Sequence, residues 1–328
     1  MTWQNLSLTW HYVEKWALET PEAEALVFEE NRLTWSNFKS EMDKAARAFI
    51  DAGVKKGDRV ALLSMARTEF PVTYMAANKV GGIWLGMNPK FTIDELRYQI
   101  ADSKPAVLIA VSEFQGNDLS ANIQTLVKEF PFLKKVLVIG NRVAGTEDYR
   151  EFLEQDRSDA EMALEERLRQ VTPGDEALLM YTSGSTGKPK GVVHTHNSII
   201  ENIKVEADKF YFRQGSRALL HFPINHVAAD VEIGFAGILA GGCLVCMDRF
   251  DPVKSLNVIE KEKINVVGQV PVMFLLQIQQ QAFWEVDLNN IELFAWAGSA
   301  GPDLMVRVLS GIARNTGAKL ITGYGSTE

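Results

Sequence analysis

Cysteine is scarce in this chain: the 328 residues contain two, Cys243 and Cys246. A four-cysteine zinc site needs a second pair, and the sequence offers none. The two residues lie inside the apolar segment GGCLVCM and not at a helix start, which disfavours a redox pair. We therefore expect two small buried hydrophobic side chains in a protein of the reducing, cytoplasmic compartment.

Excess positive charge and long apolar runs are also missing. Lys and Arg number 34 against 42 Asp and Glu, so no basic stripe indicates a nucleic-acid partner. The chain does not start with a basic segment followed by an apolar one, and we expect no secretory signal. One uncharged run, between Glu232 and Asp248, is shorter than a transmembrane span. It predicts a buried helix followed by a buried strand.

Apolar strands alternate with amphipathic helices along most of the chain. This rhythm predicts an α/β protein with two lobes of mostly parallel sheets flanked by helices. Thr92 and Glu95 form a capping box that opens one of the helices. A more charged stretch ends near Pro173, where we place the lobe boundary. The expected lobes are 59–172 and, as the lobe with the nucleotide site, 1–58 together with 173–328.

One stretch combines glycine, hydroxyl and lysine side chains between two apolar strands: YTSGSTGKPKGVVHTH, residues 181–196. Its three glycines let the backbone turn and come close to a ligand. Amide and hydroxyl donors beside Lys188 and Lys190 suit a polyphosphate, because oxyanions need directed donors and charge compensation together. The stretch therefore predicts a phosphate-binding loop.

The Walker P-loop, G-x-x-x-x-G-K-[S/T], does not fit this stretch. Thr182 stands where its first glycine is needed. Pro189 stands where its Ser or Thr would contact Mg²⁺. A P-loop phosphotransferase is therefore disfavoured.

The stretch closely resembles the phosphate loop of the AMP-forming adenylating enzymes, a superfamily of acyl-CoA synthetases, firefly-luciferase-like proteins and peptide-synthetase adenylation domains. The family pattern is roughly [Y/F]-T-S-G-[S/T]-T-G-x-P-K-G-V, and residues 181–192 meet every position. The resemblance implies catalytic roles for Thr186, Lys188 and Lys190, with Thr186 also near Mg²⁺. The loop residues that it assigns to the nucleotide are Thr182, Ser183, Gly184, Ser185, Thr186, Gly187, Lys188 and Lys190.

A second family signature, G-[Y/W]-G-x-T-E, is similar to GYGSTE at residues 323–328. The resemblance places Tyr324 and Gly325 at the nucleotide, with the tyrosine against adenine. It places Thr327 on phosphate and makes Glu328 a catalytic Mg²⁺ ligand. An aromatic face suits a purine, and a carboxylate is a hard oxygen ligand for Mg²⁺. The alternative is a tight turn after a core strand with a surface Glu.

The segment WAGSAGP, residues 296–302, is similar to the adenine-side segment of the family. Its small residues leave backbone groups free to read a base edge. Those assigned to the nucleotide are Ser299, Ala300 and Gly301. On this segment alone, a strand-to-helix turn with Pro302 at the first helical position is an equally good interpretation.

The acid-binding residues are inferred from HFPINH and from the ends of the later strands. Relatives place an aromatic residue or His after a P-x-x pattern, where it gates the channel to the acid and the thiol; His226 matches. His221 and His226 can instead be satisfied strand-end and helix-end histidines. Apolar residues dominate 222–240 and 264–276, which favours a fatty or aryl acid. The residues assigned to the acid are His226, Val227, Val270, Gly298 and Gly323.

Four further titratable residues are predicted to have structural or supporting roles. Asp230 and Glu232 are expected to be solvated or core-rim charges and not a catalytic pair. Strand alternation puts His194 and His196 on one face, where we expect them to orient the phosphate loop. A zinc site at these histidines lacks a third ligand.

The segments with these candidate residues each stand where a predicted strand ends. In open parallel sheets, ligands collect at the carboxyl ends of the strands. We therefore expect the phosphate loop, HFPINH, GQVP, WAGSAGP and GYGSTE to converge on one site.

The resemblance implies a two-step acid–thiol ligase reaction with ATP and Mg²⁺ as cofactors. A carboxylate attacks the α-phosphate of ATP to give an acyl-adenylate, and a thiol, usually CoA, then displaces AMP. The expected partners are a small carboxylic acid, ATP and CoA, with no nucleic acid and no transmembrane segment; a homodimer stays open. Two alternatives are a non-catalytic nucleotide- or acyl-binding module and an adenylation domain acting on another acid.

The resemblance covers nearly the whole chain, which ends at Glu328 inside the second signature. Family members continue with an Asp for the ribose hydroxyls, a hinge and a mobile carboxy-terminal domain that carries a lysine. We therefore expect an amino-terminal fragment without that domain. Alone it should be inactive or nearly so.

Overall fold

The computed structural model describes residues 3–182 and 187–327, and its helices and strands alternate along most of that part of the chain. The helices are α1 (His11–Glu19), α2 (Trp35–Asp51), α3 (Glu69–Lys79), α4 (Ile93–Ser103), α5 (Ser120–Glu129), α6 (Tyr149–Leu153), α7 (Ala160–Leu168), α8 (His196–Lys209), α9 (Ala236–Ala240), α10 (Pro252–Lys261), α11 (Pro271–Ile278) and α12 (Asp303–Thr316). A π-helical segment spans Ala228–Phe235, and a short 3₁₀ helix spans Gln281–Trp284.

The strands fall into two large sheets and one small hairpin. They are β1 (Glu24–Phe28), β2 (Asn31–Thr34), β3 (Arg59–Leu63), β4 (Ile83–Met87), β5 (Val107–Val111), β6 (Glu113–Phe114), β7 (Asn117–Asp118), β8 (Lys135–Ile139), β9 (Glu147–Asp148), β10 (Glu176–Thr182), β11 (Lys190–Thr195), β12 (Arg217–Leu220), β13 (Cys243–Cys246), β14 (Val266–Gln269), β15 (Leu293–Trp296) and β16 (Lys319–Thr322). The hairpin is β6–β7.

The first large sheet has the strand order β11-β10-β4-β3-β5-β8-β9. Its pairs are parallel except for the antiparallel pair of β10 and β11. Every residue of β4 and β5 is buried. Such continuous apolar strands are typical of a parallel sheet covered by helices on both faces.

The second large sheet has the strand order β16-β15-β14-β12-β13-β1-β2. Only β2 runs antiparallel to its neighbour. One apolar core contacts a face of each large sheet and includes residues of α1, α2, α3 and α8. A separate core covers the other face of the second sheet and contains residues of α10, α11 and α12. The α/β fold with two mostly parallel, helix-flanked sheets is therefore confirmed.

Several local predictions are also confirmed. The backbone N–H of Glu95 donates to Thr92 Oγ1 at 3.4 Å, and the backbone N–H of Thr92 donates to Glu95 Oε2 at 2.7 Å, so the capping box is present. The uncharged run forms the end of the π-helical segment, α9 and β13, and every residue of α9 and β13 is buried. In the part of the chain that the structure describes, no helix is long and apolar enough to cross a membrane.

The two cysteines are free and buried, as predicted. They belong to different cores, because Cys243 packs on one face of the second sheet and Cys246 on the other. Burial raises the pKa of the Cys243 thiol to about 12. The pair is therefore packing material and not a redox centre.

The place of β10 and β11 differs from the prediction. We expected them in the second lobe, within 173–328, but both strands belong to the first sheet. The reason is a long-range parallel pairing, in which Leu178 lies opposite Trp84 of β4. The division of the chain into lobes is otherwise untested and stays a prediction. The helix predicted within the uncharged run is also divided, between the end of the π-helical segment and α9.

Candidate functional site

Four of the predicted site segments follow four adjacent parallel strands of the second sheet. HFPINH follows β12, GQVP includes the end of β14, WAGSAGP follows β15 and GYGSTE follows β16. The strand order β16-β15-β14-β12 places these ends side by side. The topology therefore forms one continuous edge, as ligand sites of parallel sheets require.

Three of the residues predicted to bind the acid are neighbours at this edge. Gly298 has a φ of +87°, a conformation that side chains rarely adopt, and a Cβ at Gly298 would lie 3.7 Å from Val270 Cγ1. The backbone N–H of Gly323 donates to the Trp296 carbonyl at 2.9 Å. This hydrogen bond holds the GYGSTE segment against the end of β15.

Two of the three residues predicted to lie on the adenine side are exposed here. Ser299 and Ala300 are exposed, whereas Gly301 packs so closely that a Cβ would lie 2.7 Å from Met305 Cε. The ring of Tyr324 is fully exposed, and Gly325 beside it is exposed as well. A base can therefore reach both segments, and the adenine assignment stays a prediction.

The phosphate loop connects β10 to β11, where Thr182 lies opposite Lys190. Gly187 has a φ of +121° and open space around it. Lys188 and Lys190 are both exposed. Five predicted residues lie outside the described ranges: Ser183, Gly184, Ser185, Thr186 and Glu328.

Helix α4 holds this loop through contacts that the sequence did not predict. The Tyr98 hydroxyl donates to the Pro189 carbonyl at 2.8 Å, and Lys188 Nζ lies 5.7 Å from the centroid of the same ring. The Tyr181 hydroxyl donates to Asp102 Oδ2 at 2.6 Å. The capping box marks where α4 begins, but no local signal pairs it with a loop 91 residues away.

One hydrogen bond links β11 of the first sheet to the GYGSTE segment that follows the second sheet. The His194 Nε2 atom on β11 lies 2.8 Å from the Thr327 carbonyl, so Nε2 must carry the proton that it donates. His196 lies elsewhere, because its ring is buried and its Nδ1 atom is 3.1 Å from Thr9 Oγ1. The prediction that the two histidines share a face is wrong, since the strand ends at Thr195 and His196 begins α8.

The loop after β12 also presses on the first sheet. A Cβ at Gly86 of β4 would lie 1.9 Å from the Ile224 carbonyl oxygen, so only glycine fits there. His226, the predicted gate residue, is exposed, and its Nδ1 atom accepts from the Ala228 backbone N–H at 3.1 Å. Desolvation nonetheless lowers the pKa of His226. Val227 beside it is half-buried.

Comparison with known proteins decides the family. A family model described as AMP-binding enzyme matches residues 13–328. The chain belongs to the AMP-binding enzyme family. The resemblance of the phosphate loop and of GYGSTE to adenylating enzymes is thereby confirmed.

Curated relatives from this family are longer than the chain. YngI of Bacillus subtilis (strain 168) is 30% identical over 96% of this chain and 60% of its own length. The long-chain-fatty-acid–CoA ligase of the same organism is 28% identical over 95% of this chain and 58% of its own length. The chain thus spans no more than about three-fifths of either relative.

A solved structure shows the same architecture. The N-terminal domain of FACL13 from Mycobacterium tuberculosis, crystallised with an inhibitor, superposes with a TM-score of 0.81 at 25% identity. The match covers 98% of this chain and 77% of that domain. The AMP-binding family fold therefore extends over nearly all of the chain.

Two buried residues near the edge of this AMP-binding fold lack side-chain partners, and one of them, His221, differs from the prediction. His221 is 2% exposed, its ring stacks 5.0 Å from that of Phe222, and neither ring nitrogen has a partner. Burial lowers the pKa of His221 to about 4, so it is neutral at pH 7 and not a satisfied strand-end histidine. Gln269, at the end of the neighbouring β14, is 1% exposed and also lacks partners for both amide atoms.

Asp230 differs from the predicted solvated or core-rim charge in the same way. It is 0% exposed, and neither carboxylate oxygen has a partner. Glu232 fits the prediction better, because it is only half-buried. Burial, with the nearby Glu206, raises the pKa of Glu232 to about 7. No local pattern distinguishes the two acids, because both lie in the same apolar segment.

The described residues do not form a metal centre. Within 3–182 and 187–327, no group of three or more His, Cys, Asp and Glu residues could hold an ion. Thr186 and Glu328, the two residues assigned to Mg²⁺, both lie outside those ranges. Their role stays a prediction.

Proposed function

We propose that the full-length protein activates a carboxylic acid with MgATP and then transfers the acyl group to CoA. The observation that supports this best is the exposed lysine-bearing loop between β10 and β11, tied to the GYGSTE segment through His194 and Thr327. Names of relatives agree, since they include long-chain-fatty-acid–CoA ligase and feruloyl-CoA synthase.

The reaction needs charge neutralisation and placement more than a nucleophilic side chain. A carboxylate oxygen of the acid forms a bond to the α-phosphorus of ATP, and the bond to the bridging oxygen breaks, so that pyrophosphate leaves with its negative charge. Lys188 and Lys190 would stabilise that charge. The thiol sulfur of CoA then forms a bond to the acyl carbon, AMP leaves and the thiol proton is released. Holding the reactants in line supplies much of the rate enhancement.

We propose a fatty or aryl acid as the substrate class. Val227 and Val270 are half-buried at the edge of the second sheet, and Val270 is in van der Waals reach of Gly298. No Lys or Arg lies in 222–240 to receive a second carboxylate. An apolar body next to the reacting carboxylate fits these surroundings.

The direct test is the double variant Lys188→Ala with Thr186→Ala in the full-length protein. We expect the rate of acid-dependent pyrophosphate release to fall by about 100- to 1,000-fold or more, as for removal of donors to a developing charge. Lys261→Ala, a surface lysine with 63% side-chain exposure, is the control and should leave the rate unchanged. Undiminished release by the double variant would refute the proposal.

The same assay separates the alternatives. Binding of MgATP without AMP or pyrophosphate from any acid in a panel of short, long and aromatic acids would indicate a non-catalytic binding module. Release of ADP in place of AMP would indicate a phosphotransferase. AMP formation with an acid outside the fatty and aryl classes would retain the reaction and change only its substrate.

A further inference from the structure

Asp230 is the most unusual buried residue of the described chain. It is 0% exposed, and both of its carboxylate oxygens lack a hydrogen-bond partner. Within residues 3–182 and 187–327, no other carboxylate has both oxygens in this state. Buried polar side chains are ordinarily hydrogen-bonded, so each exception requires an explanation.

An ionised carboxylate is unfavourable in such surroundings. Burial raises the pKa of Asp230 well above its usual value, so the free protein would hold it as a neutral acid. A neutral carboxyl group still has a donor and acceptors to satisfy. A hydrogen-bonding partner that is not part of the described chain would remove the free-energy cost of leaving these groups unpaired.

A second unpartnered polar group lies near Asp230. The Tyr74 hydroxyl on α3 has no partner, and the side chain is 1% exposed. Burial raises the pKa of Tyr74. The Tyr74 ring stacks 5.0 Å from that of Trp84. A Cβ at Gly234 of the π-helical segment would lie 3.6 Å from Phe70 Cζ on α3, so the segment with Asp230 packs against the helix with Tyr74 in one apolar core.

Asp230 is also close to the predicted entrance for the acid. Its backbone N–H donates to the His226 carbonyl at 3.2 Å, which places it about one helical turn, roughly 5 Å, beyond His226. The segment Ala228–Phe235 is π-helical, a rare geometry that frequently occurs at functional sites. Its position directly after the loop connects the buried carboxyl group to the site.

We propose that Asp230 and Tyr74 bind a hydrogen-bond donor, a hydroxyl or an amine, on the tail of the carboxylic acid. This inference rests on the proposed function and narrows its substrate class from any fatty or aryl acid to one with a polar tail. The Asp230 carboxyl group accepts from the donor, and the Tyr74 hydroxyl completes the contact. An acid without the donor leaves both groups unpartnered and is rejected for that reason.

The test compares matched acids in the full-length protein. The pairs are decanoate with ω-hydroxydecanoate and ω-aminodecanoate, and benzoate with para-hydroxybenzoate and para-aminobenzoate. We expect kcat/KM for AMP formation to be about 10- to 100-fold higher for at least one polar member than for its unsubstituted parent. The hydroxyl and amine arms show which donor is preferred.

Three variants assign the preference to these residues. Asp230→Leu should abolish it while unsubstituted acids are still activated, and Tyr74→Phe should reduce it. Tyr149→Phe is the matched control, because Tyr149 is also buried with an unpartnered hydroxyl but lies on α6. If Asp230→Leu does not fold, Asp230→Asn replaces it and should lower the preference.

Two outcomes would overturn the inference. One is equal use of polar and unsubstituted acids by the unmodified protein, and the other is an unchanged preference in both Asp230 variants, which would indicate a buried water as the partner. If no acid gives AMP, the proposed function fails. Calorimetry then measures the affinities of the same acids for the unmodified protein and for Asp230→Leu. The inference requires the unmodified protein to bind at least one polar acid about 10- to 100-fold more tightly than its unsubstituted parent, and Asp230→Leu to lose this difference.

Discussion

Two sets of buried polar groups in this protein differ in how they are satisfied. Behind α1, Thr9 Oγ1 donates to Asn78 Oδ1 at 2.7 Å, and Asn78 Nδ2 donates to the Ala177 carbonyl at 2.7 Å. Behind the carboxyl edge of the second sheet, His221, Gln269 and Asp230 are equally hidden but have no side-chain partners. The first set connects distant parts of the chain, whereas the second lies near a candidate ligand site without hydrogen-bond partners.

The difference indicates which buried groups specify the fold. A polar group with all its partners fixes one arrangement of the elements around it, because any other arrangement leaves it unpaired. A polar group without partners lowers stability and is retained where a ligand or a water supplies the missing contact. The predictions below test this contrast, starting with the largest expected effect.

Lys79→Met should cost about 3 kcal/mol in the free energy of unfolding, because it removes the cation between two carboxylates. Lys79 Nζ lies 2.6 Å from Glu14 and 2.8 Å from Asp43, and the side chain is 6% exposed. Urea unfolding measures the change. Lys39→Met is the control: its side chain is 41% exposed, and its pair with Asp43 is worth less than about 0.5 kcal/mol. Equal losses in both variants would show that burial of a fully paired charge adds nothing to the free energy of unfolding.

Gly86→Ala should cost about 2–3 kcal/mol, since a Cβ there would lie 1.9 Å from the Ile224 carbonyl oxygen. The added methyl group would push the loop with His226 away from the first sheet, so acid-dependent AMP formation should fall as well. Gly174→Ala is the control, because a Cβ at Gly174 meets nothing within 4 Å. Thermal unfolding and the AMP assay together test whether stability and activity both depend on the close approach of Gly86 to the loop with His226.

The sequence predicts the fold well where apolar periodicity is local. The strand at Val107–Val111 and the helix that starts after Thr92 follow from patterns within a few residues. The hairpin of Glu24–Phe28 and Asn31–Thr34 was not predicted, because its charged residues hide the alternation. The place of β10 depends on its pairing with β4, which no local pattern encodes.

The candidate site follows the same division. Motif spacing singled out Lys188, Gly298 and Tyr324 as candidates, because glycines, lysines and aromatic residues at fixed positions have direct chemical meaning. Contacts such as Tyr98 with Pro189 depend on elements far apart in the chain, so they required the structure. Burial of Asp230 was missed for a related reason: a carboxylate in an apolar segment looks the same in sequence whether it faces solvent or the core.

In the unmodified protein, His221 should lower the free energy of unfolding by about 2 kcal/mol at pH 5, and His221→Phe should remove this loss. Burial lowers the pKa of His221 to about 4 in the folded protein, whereas the unfolded chain takes up the proton below about 6.5. Stability is therefore lost as pH falls from about 6.5 towards 4. Phenylalanine keeps the stacking on Phe222 and does not titrate.

The matched variant is His196→Phe, beside Thr9 of the first set: the Nδ1 atom of His196 contacts Thr9, and only its Nε2 atom lacks a partner. Burial also lowers the pKa of His196 to about 4, so this variant should remove a similar acid-side loss. Its Nδ1 atom, however, lies 3.1 Å from Thr9 Oγ1, and loss of that hydrogen bond should cost about 1 kcal/mol at pH 7. Urea unfolding at pH 7 and pH 5 measures both effects. Equal stability of the two variants at pH 7 would remove the contrast between the two sets.

Asp230→Leu should have the opposite sign, a gain that is smallest near pH 4, at about 1 kcal/mol, when no carboxylic acid substrate is bound. Because burial raises the pKa of Asp230 in the folded protein, that state holds the proton after the unfolded chain has released it. Stability of the unmodified protein should therefore fall as pH rises above about 4, and the gain from leucine should grow over the same range. Asp230→Asn removes the titration but keeps an unpartnered polar group, so it should remove the pH dependence with little gain at low pH. A loss of stability in Asp230→Leu would mean that the carboxyl group already has a partner in the free protein.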